Sequence, residues 1–269
     1  MVASFTFEAH PIPPEVLCGN LIYPAASARG ALAALRDVAA GLPEAMTVTA
    51  SALVPPAQWD LGDAPLFFIG FAWSGAEHAV GMECVDALAA AAPPELRDVS
   101  TMPWPQWQSI VDNDFPRGVR AYWKNTSLAA LDDDAIEVLA ARAAAITWRG
   151  TAFDVHVLGG AMAALPGDAT AFPDRAAPFW LNIYGFWDQA ADDAHHIAFA
   201  RSFHDQMRAF SSGGDYINFS SPDGLPGGEA AALAVYGTEK LARLTALKGR
   251  YDPHNRLRLN HNIPAPSLA

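Results

Sequence analysis

The order of the predicted elements constrains the fold of this 269-residue chain more than any other feature of its sequence. Aromatic and β-branched runs predict strands at residues 2–9, 18–23, 47–54, 66–73, 152–158, 179–187 and 215–220. Alanine-rich or amphipathic segments predict helices at residues 28–40, 81–92, 132–145, 193–210 and 228–250. Pairs of strands followed by single helices favour an α+β fold, in which an antiparallel β-sheet has helices packed on one face.

A stretch rich in proline and tryptophan, residues 93–116, is predicted to be a loop. Loops that carry aromatic side chains without regular structure often line a binding site. Trp104 and Trp107 are therefore candidates for a pocket wall, with core filling as the equal alternative.

Composition disfavours several classes of partner and location. The formal net charge of −12 argues against nucleic acid and anionic membrane partners, because both surfaces repel an acidic protein. No run reaches the roughly 20 apolar residues of a membrane span, and the first residues do not resemble a signal peptide. Cys18 and Cys84 are too few for a disulfide framework and fit reduced thiols. We therefore expect a cytoplasmic protein.

Motifs of the common nucleotide, hydrolase and zinc sites do not occur in the sequence. It contains no GxGxxG or GxxxxGK[ST] phosphate loop, and no GxSxG, CxxC or HExxH motif. His195 and His196 follow two acidic residues at a predicted helix start, where acids favour the helix dipole and neighbouring histidines diverge. We therefore predict no metal site.

Two predicted strands place polar side chains two residues apart, on one face. Tyr216 and Asn218 would offer a phenol and a carboxamide to one ligand, and Asn182 and Tyr184 share a face of the strand at 179–187. Ordinary packing or a surface position is the alternative for both pairs, and spacing alone favours that alternative.

The C-terminal stretch resembles the motif of a known family. Tyr236-Gly237, Lys240-Leu241 and Leu247-Lys248 lead into the segment YDPHNRLRLNHNIP at residues 251–264. This pattern resembles the C-terminal signature of the berberine-bridge-enzyme-like FAD-linked oxidases. At the position of Leu257, members of that family usually have phenylalanine. The segments SFTFEAHPIPPEVL, RGVRAYWKNTSL and GGDYINF resemble further parts of the family in the same order, so the resemblance covers essentially the whole chain.

The resemblance implies a FAD-dependent oxidoreductase that transfers hydride from an organic substrate to FAD, with reoxidation by O2. It implies a strand and linker at 1–14 left from the end of a FAD-binding domain, a substrate-binding α+β domain at 15–225, and a berberine-bridge-type segment at 226–269. Family members hold most of the flavin in an N-terminal domain before this region. We therefore expect this chain to be the substrate-side portion, which needs a FAD-binding domain in cis or in trans.

The resemblance also implies roles for individual residues. Tyr216 and Asn218 would face the flavin ring, with Tyr216 as first and Tyr184 as second candidate for a catalytic tyrosine. The other candidates are Asn260 and Asn262 for the cofactor, and Trp104, Trp107, Tyr122, Trp123 and Asn182 for the substrate. Since an ordinary tyrosine has a pKa of about 10, a tyrosine base needs a nearby cation or the flavin to favour its phenolate.

A second interpretation stays open at this point. The chain could be a stand-alone, non-catalytic α+β module, derived from such an oxidase, that binds a small molecule or a protein through the face that the flavin would cover. A flavin-domain sequence in frame or adjacent upstream favours the oxidase, and its absence favours the module.

Overall fold

Strands dominate the architecture of the computed structural model, which describes residues 3–114, 117–220, 229–259 and 261–263. The strands are β1 Val16–Pro24, β2 Met46–Leu53, β3 Leu66–Trp73, β4 Leu96–Met102, β5 Arg120–Leu128, β6 Thr151–Val157 and β7 Phe179–Trp187. They form one sheet in the order β4-β1-β3-β2-β6-β7-β5, with every neighbouring pair antiparallel. The predicted antiparallel α+β class is confirmed.

The helices connect the strands, and four of the described helices form the layer that covers one side of the sheet. They are α1 Ala28–Ala39, α2 His78–Ala91, α3 Trp104–Gln108, α4 Asp133–Ala144, α5 Gly160–Ala164, α6 Asp193–Met207 and α7 Glu229–Tyr251. Helix α6 packs on β5 and β7, α2 packs on β1, and α1 packs on both α2 and α4. Helix α7 is interrupted at Gly237, whose φ of 68° and ψ of 175° are not helical. No helix in the described ranges is long and apolar enough to cross a membrane.

The two faces of the sheet differ because successive side chains of a strand point to opposite sides. Phe67, Ile69 and Phe71 of β3, like Phe153 and Val155 of β6, are buried in the core beneath the helices. The opposite side, here called the polar face, carries Asn20, Thr49, Ser51, Asp154, His156, Asn182 and Tyr184, which share its register. The polar face is therefore where chemistry-bearing side chains collect.

Two strands that the sequence analysis did not predict are β4 and β5, which form the two edges of the sheet. Strand β4 lies within the stretch predicted to be a loop, and its residues are exposed or only half-buried. Strand β5, RAYWKNTSL, is rich in polar residues. Strand β4 buries little of its surface, and the buried residues of β5 include Asn125, Thr126 and Ser127, so neither strand shows the apolar alternation that predicts a strand.

Two predicted strands are wrong. Residues 3–9 form no strand and are exposed, with Phe5 at 74% and Phe7 at 82% exposure. Alternation alone does not make a strand, which also needs a neighbouring strand for its backbone hydrogen bonds, and β4 and β5 are the edges of the sheet. Residues 215–220 contain instead a 3-10 turn at Ile217–Phe219.

Candidate functional site

A row of polar side chains crosses four adjacent strands on the polar face. Ser51 of β2 lies opposite Asp154 of β6, Asp154 lies opposite Asn182 of β7, and Asn182 lies opposite Asn125 of β5. These residues are far apart in the chain, and the antiparallel register alone brings them into one line. The row places a carboxyl group between a hydroxyl and a carboxamide in the interior of the sheet.

Asp154 is the centre of this row. Tyr184 donates a hydrogen bond from its hydroxyl to Asp154 Oδ1 at 3.4 Å, and Asn182 Nδ2 donates to Oδ2 at 3.5 Å. Both bonds are long and correspondingly weak. Burial raises the pKa of Asp154, and hydrogen bonds from Ser51, Asn182 and Tyr184 offset part of that effect. A carboxyl group whose pKa is raised in this way is suited to exchanging a proton with a ligand.

Tyr184 is held in its neutral form. Its pKa is raised well above the ordinary value, first by burial and then by the negative charge of Asp154, to which it also donates a hydrogen bond. The sequence-based role of Tyr184 as a second candidate base requires a stabilised phenolate, and these surroundings disfavour a phenolate. Tyr184 is therefore better suited to donating a hydrogen bond than to removing a proton.

Asp154 was not among the candidates chosen from the sequence. The available signal was a carboxylate inside the otherwise mostly apolar strand segment TAFDVHV. Charged residues are rarely buried without a partner or a chemical role, so such a residue is informative. Its significance depends on Asn182 and Tyr184, whose positions beside it follow from strand pairing.

His156 lies two residues along β6 from Asp154, on the same face. Its Nδ1 is 3.3 Å from the hydroxyl of Thr49, and its ring lies 5.0 Å from the ring of Trp180. Burial lowers the pKa of His156, an effect that the Asp154 charge opposes. These surroundings favour a neutral, hydrogen-bonded His156.

Trp123 lies beside Tyr184 on the polar face, and its role in substrate binding stays a prediction. Its ring centroid lies 6.4 Å from that of Tyr184 and 5.0 Å from that of Phe186. Tyr122 points to the other side of β5, where it is 6% exposed and accepts a hydrogen bond from Arg201 Nε at 3.0 Å. The structure therefore does not bring Tyr122 to the site, because neighbouring residues of a strand face opposite ways.

Two parts of the stretch predicted to be a loop, α3 near its middle and Asp114 near its end, lie on the polar-face side of the sheet. Trp104 begins α3 and is 40% exposed, whereas Trp107 packs against a small apolar cluster of Val16, Cys18 and Ala72. At the other end, Asp114 lies close enough to Tyr184 for its charge to contribute to the raised pKa of that phenol. Of these loop residues, Asp114 is the one that acts on the Asp154 site.

Tyr216 and Asn218 do meet, although residues 215–220 are not a strand. Asn218 Nδ2 donates to the Tyr216 hydroxyl at 2.8 Å, and the Tyr216 ring packs 5.3 Å from Phe172. A cavity of about 330 Å³ opens here, lined by Thr170, Ala171, Phe172, Pro173, Tyr216, Ile217, Asn218, Val235 and Tyr236. The predicted phenol and carboxamide pair thus faces one cavity, through a 3-10 turn.

The C-terminal tail returns to this segment. His261 Nε2 lies 2.8 Å from the carbonyl oxygen of Ser220. Asn262 has a buried Oδ1 with no hydrogen-bond partner among the described residues, so this oxygen is available to an N–H or O–H donor. Asn260 lies outside the described residues. That Asn262 holds a cofactor atom stays a prediction, and its unpartnered Oδ1 supports it.

The YDPHNRL part of the C-terminal motif forms a locked turn. Asp252 accepts hydrogen bonds from Lys248 Nζ at 2.6 Å and from the backbone N–H groups of Arg256 and Leu257 at 2.8 and 2.9 Å. The ammonium of Lys248 and these amides lower the pKa of Asp252 to about 2. Asn255, with φ of 48°, supplies the left-handed position of the turn. This part of the motif is structural.

The Asp252→Asn variant is expected to loosen this turn, because the amide carries no charge for Lys248 and has one acceptor oxygen. The folded pKa of about 2 lies below the ordinary 3.8, so the stabilisation is present above about pH 4 and is lost as the pH falls towards 2. Hydrogen exchange of the Arg256 and Leu257 amides is the measurement. Asp134→Asn, at an exposed position in α4, is the control, and equal exchange in both variants would contradict the assignment.

Removing the Asp154 carboxyl is expected to change how stability depends on pH. Since burial raises the folded pKa of Asp154, its contribution is favourable below the ordinary pKa of 3.8 and is lost as the pH rises through the folded pKa. Urea denaturation between pH 4 and 8 should therefore show Asp154→Asn gaining stability relative to the unsubstituted chain as the pH rises. A stability difference between Asp154→Asn and the unsubstituted chain that stays constant over this pH range would refute the assigned environment.

Comparisons with known proteins show which sequences and structures this chain is similar to. Residues 215–264 match the family described as Berberine and berberine like. The matched region begins within the predicted 15–225 domain. A FAD-linked oxidoreductase from Dictyostelium discoideum is 24% identical over 271 residues, covering 98% of this chain and 55% of that protein. The predicted domain boundaries themselves stay a prediction.

Solved structures share the fold. BBE-like 1 of Physcomitrella patens has a TM-score of 0.77 at 16% identity, covering 96% of this chain and 56% of that one. Berberine bridge enzyme from Eschscholzia californica has a TM-score of 0.76 at 16% identity, covering 97% and 57%. The chain thus spans a little over half the length of these proteins. The chain is similar to the C-terminal part of berberine-bridge-enzyme-like FAD-linked oxidoreductases.

Proposed function

We propose that the polar face is the substrate-side wall of a FAD-dependent oxidoreductase site, in which Asp154 removes a proton as an organic substrate loses hydride. The observation that carries this proposal is the Asp154 carboxyl group, whose pKa is raised by burial and which is contacted by Tyr184 and Asn182. Burying a carboxyl group is costly, and groups perturbed in this way concentrate at functional sites.

The neighbours of Asp154 have complementary parts in this proposal. Tyr184, a neutral phenol, donates a hydrogen bond and orients the carboxyl group or a substrate oxygen. Asn182 has a buried Oδ1 without a partner among the described residues, so it is available to accept a hydrogen bond from a substrate O–H or N–H. Trp123 and Phe186 supply an apolar side wall against which a ring can pack.

The chain fits FAD as one wall of its site. Tyr216, Asn218 and Asn262 would hold the flavin edge, because the first two face one cavity and the Oδ1 of Asn262 is an unused acceptor. When bound, the flavin supplies the hydride acceptor and passes the electrons to O2. The sequence has no glycine-rich phosphate loop, so a FAD-binding domain in cis or in trans would supply the phosphate contacts.

The test is to join the chain to the FAD-binding domain of a related oxidoreductase and to offer alcohols, sugars and cyclic amines without oxygen. We expect at least one class to bleach the visible absorbance of the flavin, and to release hydrogen peroxide when air is admitted. If flavin binds but no substrate bleaches it, while the chain alone binds small molecules, the chain is a binding module and the proposal fails.

A further inference from the structure

We infer that Asn125 is a positioning residue, which fixes Tyr216 and, through it, Asn218 at the candidate site. This inference rests on the proposed function of the polar face, to which Tyr216 and Asn218 contribute. Asn125 had no role in the sequence analysis. Its side chain is fully buried in β5, at the end of the polar row that contains Asp154 and Asn182.

Both the oxygen and the nitrogen of the Asn125 carboxamide form hydrogen bonds. Its Oδ1 accepts hydrogen bonds from the backbone N–H of Tyr216 at 2.7 Å and from Trp180 Nε1 at 3.0 Å. Its Nδ2 has three acceptors in reach, which are the carbonyl oxygens of Tyr216 and Phe219, both at 3.0 Å, and the hydroxyl of Ser220 at 2.9 Å. One side chain therefore connects β5 and β7 to both ends of the 3-10 turn.

The contact with Tyr216 has two points, because Asn125 pairs with both its N–H and its C=O. A two-point contact fixes the orientation of that peptide unit as well as its distance. A carboxamide side chain combines a donor and an acceptor in one planar group that stays uncharged at every pH of the test. The orientation of Tyr216 in turn positions Asn218, because Asn218 Nδ2 donates a hydrogen bond to the Tyr216 hydroxyl at 2.8 Å.

The chain before Tyr216 does not impose this orientation. Gly213 and Gly214 have φ of 91° and 74°, in the left-handed region that glycine enters without strain. Two consecutive glycines leave the backbone many alternative directions. The direction of the Tyr216 side chain is therefore decided by tertiary contacts, among which Asn125 makes the direct hydrogen bonds to its backbone.

The test is amide hydrogen exchange of the full 269-residue chain and its Asn125→Ala variant. We expect residues 216–220 to exchange about tenfold faster or more in the variant, because several bonds to one buried carboxamide are lost together. Amides in the centre of the sheet, between β1 and β3, should keep their protection within about twofold, since local opening does not require opening of the core.

Asn125→Asp gives a signature that a simple packing role would not produce. The carboxyl group at this buried position has a raised pKa and can donate one hydrogen bond while it is protonated. After correction for intrinsic exchange, protection of 216–220 should be near that of the unsubstituted chain at low pH. Protection should fall as the pH rises through that pKa, while the Asn125→Ala variant shows no such titration.

The matched control is Thr151→Val, another buried polar residue, whose hydroxyl faces Trp148 and His196. Thr151→Val should leave the protection of residues 216–220 the same as in the unsubstituted chain. If Asn125→Ala accelerates exchange equally in the sheet and in 216–220, Asn125 only stabilises the fold and the inference is overturned.

Ser220→Ala covers the case in which Asn125→Ala does not fold. Ser220 is half-buried, and its replacement removes one partner of Asn125 without creating a large cavity. We expect the amides of residues 216–220 to exchange several-fold faster in Ser220→Ala. If exchange of these residues is unchanged both in this variant and in Asn125→Asp, the inference is overturned. These readouts need no flavin, so failure of the oxidase proposal leaves them interpretable.

Discussion

Asp154→Asn is expected to slow flavin reduction in the assembled enzyme by about 100-fold or more, with little change in the amount of FAD bound. The reason is that a positioned general base contributes a factor of about 10² to 10⁴, and the carboxamide has the same shape but cannot accept the proton. The rate of anaerobic bleaching in a single turnover is the measurement, because it isolates the reductive step from reoxidation by O2.

Two further variants make this result specific. Asp98→Asn lies at an exposed position on the same face of edge strand β4 and should leave the rate within about twofold. Tyr216→Phe removes the phenol that the sequence analysis favoured as the catalytic tyrosine. An unchanged rate for Asp154→Asn together with a large loss for Tyr216→Phe would move the proton transfer from Asp154 to Tyr216.

Phe153→Ala is expected to lower the free energy of unfolding by about 3 to 5 kcal/mol, the usual cost of emptying a fully buried phenylalanine site. Phe153 is 0% exposed and packs edge to face on Phe203 of α6, with ring centroids 5.1 Å apart. It holds β6 against α6 from the side opposite to Asp154. Urea denaturation at a pH where both proteins are folded gives the difference.

The matched control for that prediction is Phe5→Ala. Phe5 is 74% exposed and stacks on the equally exposed Phe7, so its loss should change the free energy of unfolding by less than about 0.5 kcal/mol. Equal losses for Phe5→Ala and Phe153→Ala would mean that residues 3–9 pack on the domain, contrary to the structure.

Much of the sheet could be read from local patterns. The strands predicted at 66–73 and 179–187 have the observed bounds, and the helix predicted at 28–40 ends within one residue of α1. These segments are buried on at least one face, and a buried face requires apolar residues at regular intervals in the sequence. Edge strand β4 was not predicted because it buries little, and β5 was not predicted because its buried residues are mostly polar. Residues 3–9 show that alternation without a neighbouring strand is insufficient.

The candidate site was predicted only in part, because its geometry is not local. Tyr216 and Asn218 were found from their spacing, yet the 3-10 turn that brings them together is held by Asn125, 91 residues before Tyr216. The pKa of Tyr184 is raised first by its own burial and then by the charge of Asp154, 30 residues away in the chain. Distances of this kind in sequence leave no periodic signal.

The sequence by itself determined the five inner strands and the five longest helices of the described residues, the α+β class and the resemblance to an oxidoreductase family, since these depend on local periodicity and on a contiguous motif. Only the tertiary structure decided which residues form the site. The antiparallel register aligns Ser51, Asp154 and Asn182 across three strands, and burial at that point raises the pKa of the carboxyl group between them. Register and burial are properties of the assembled sheet, because a strand acquires them only from its neighbours.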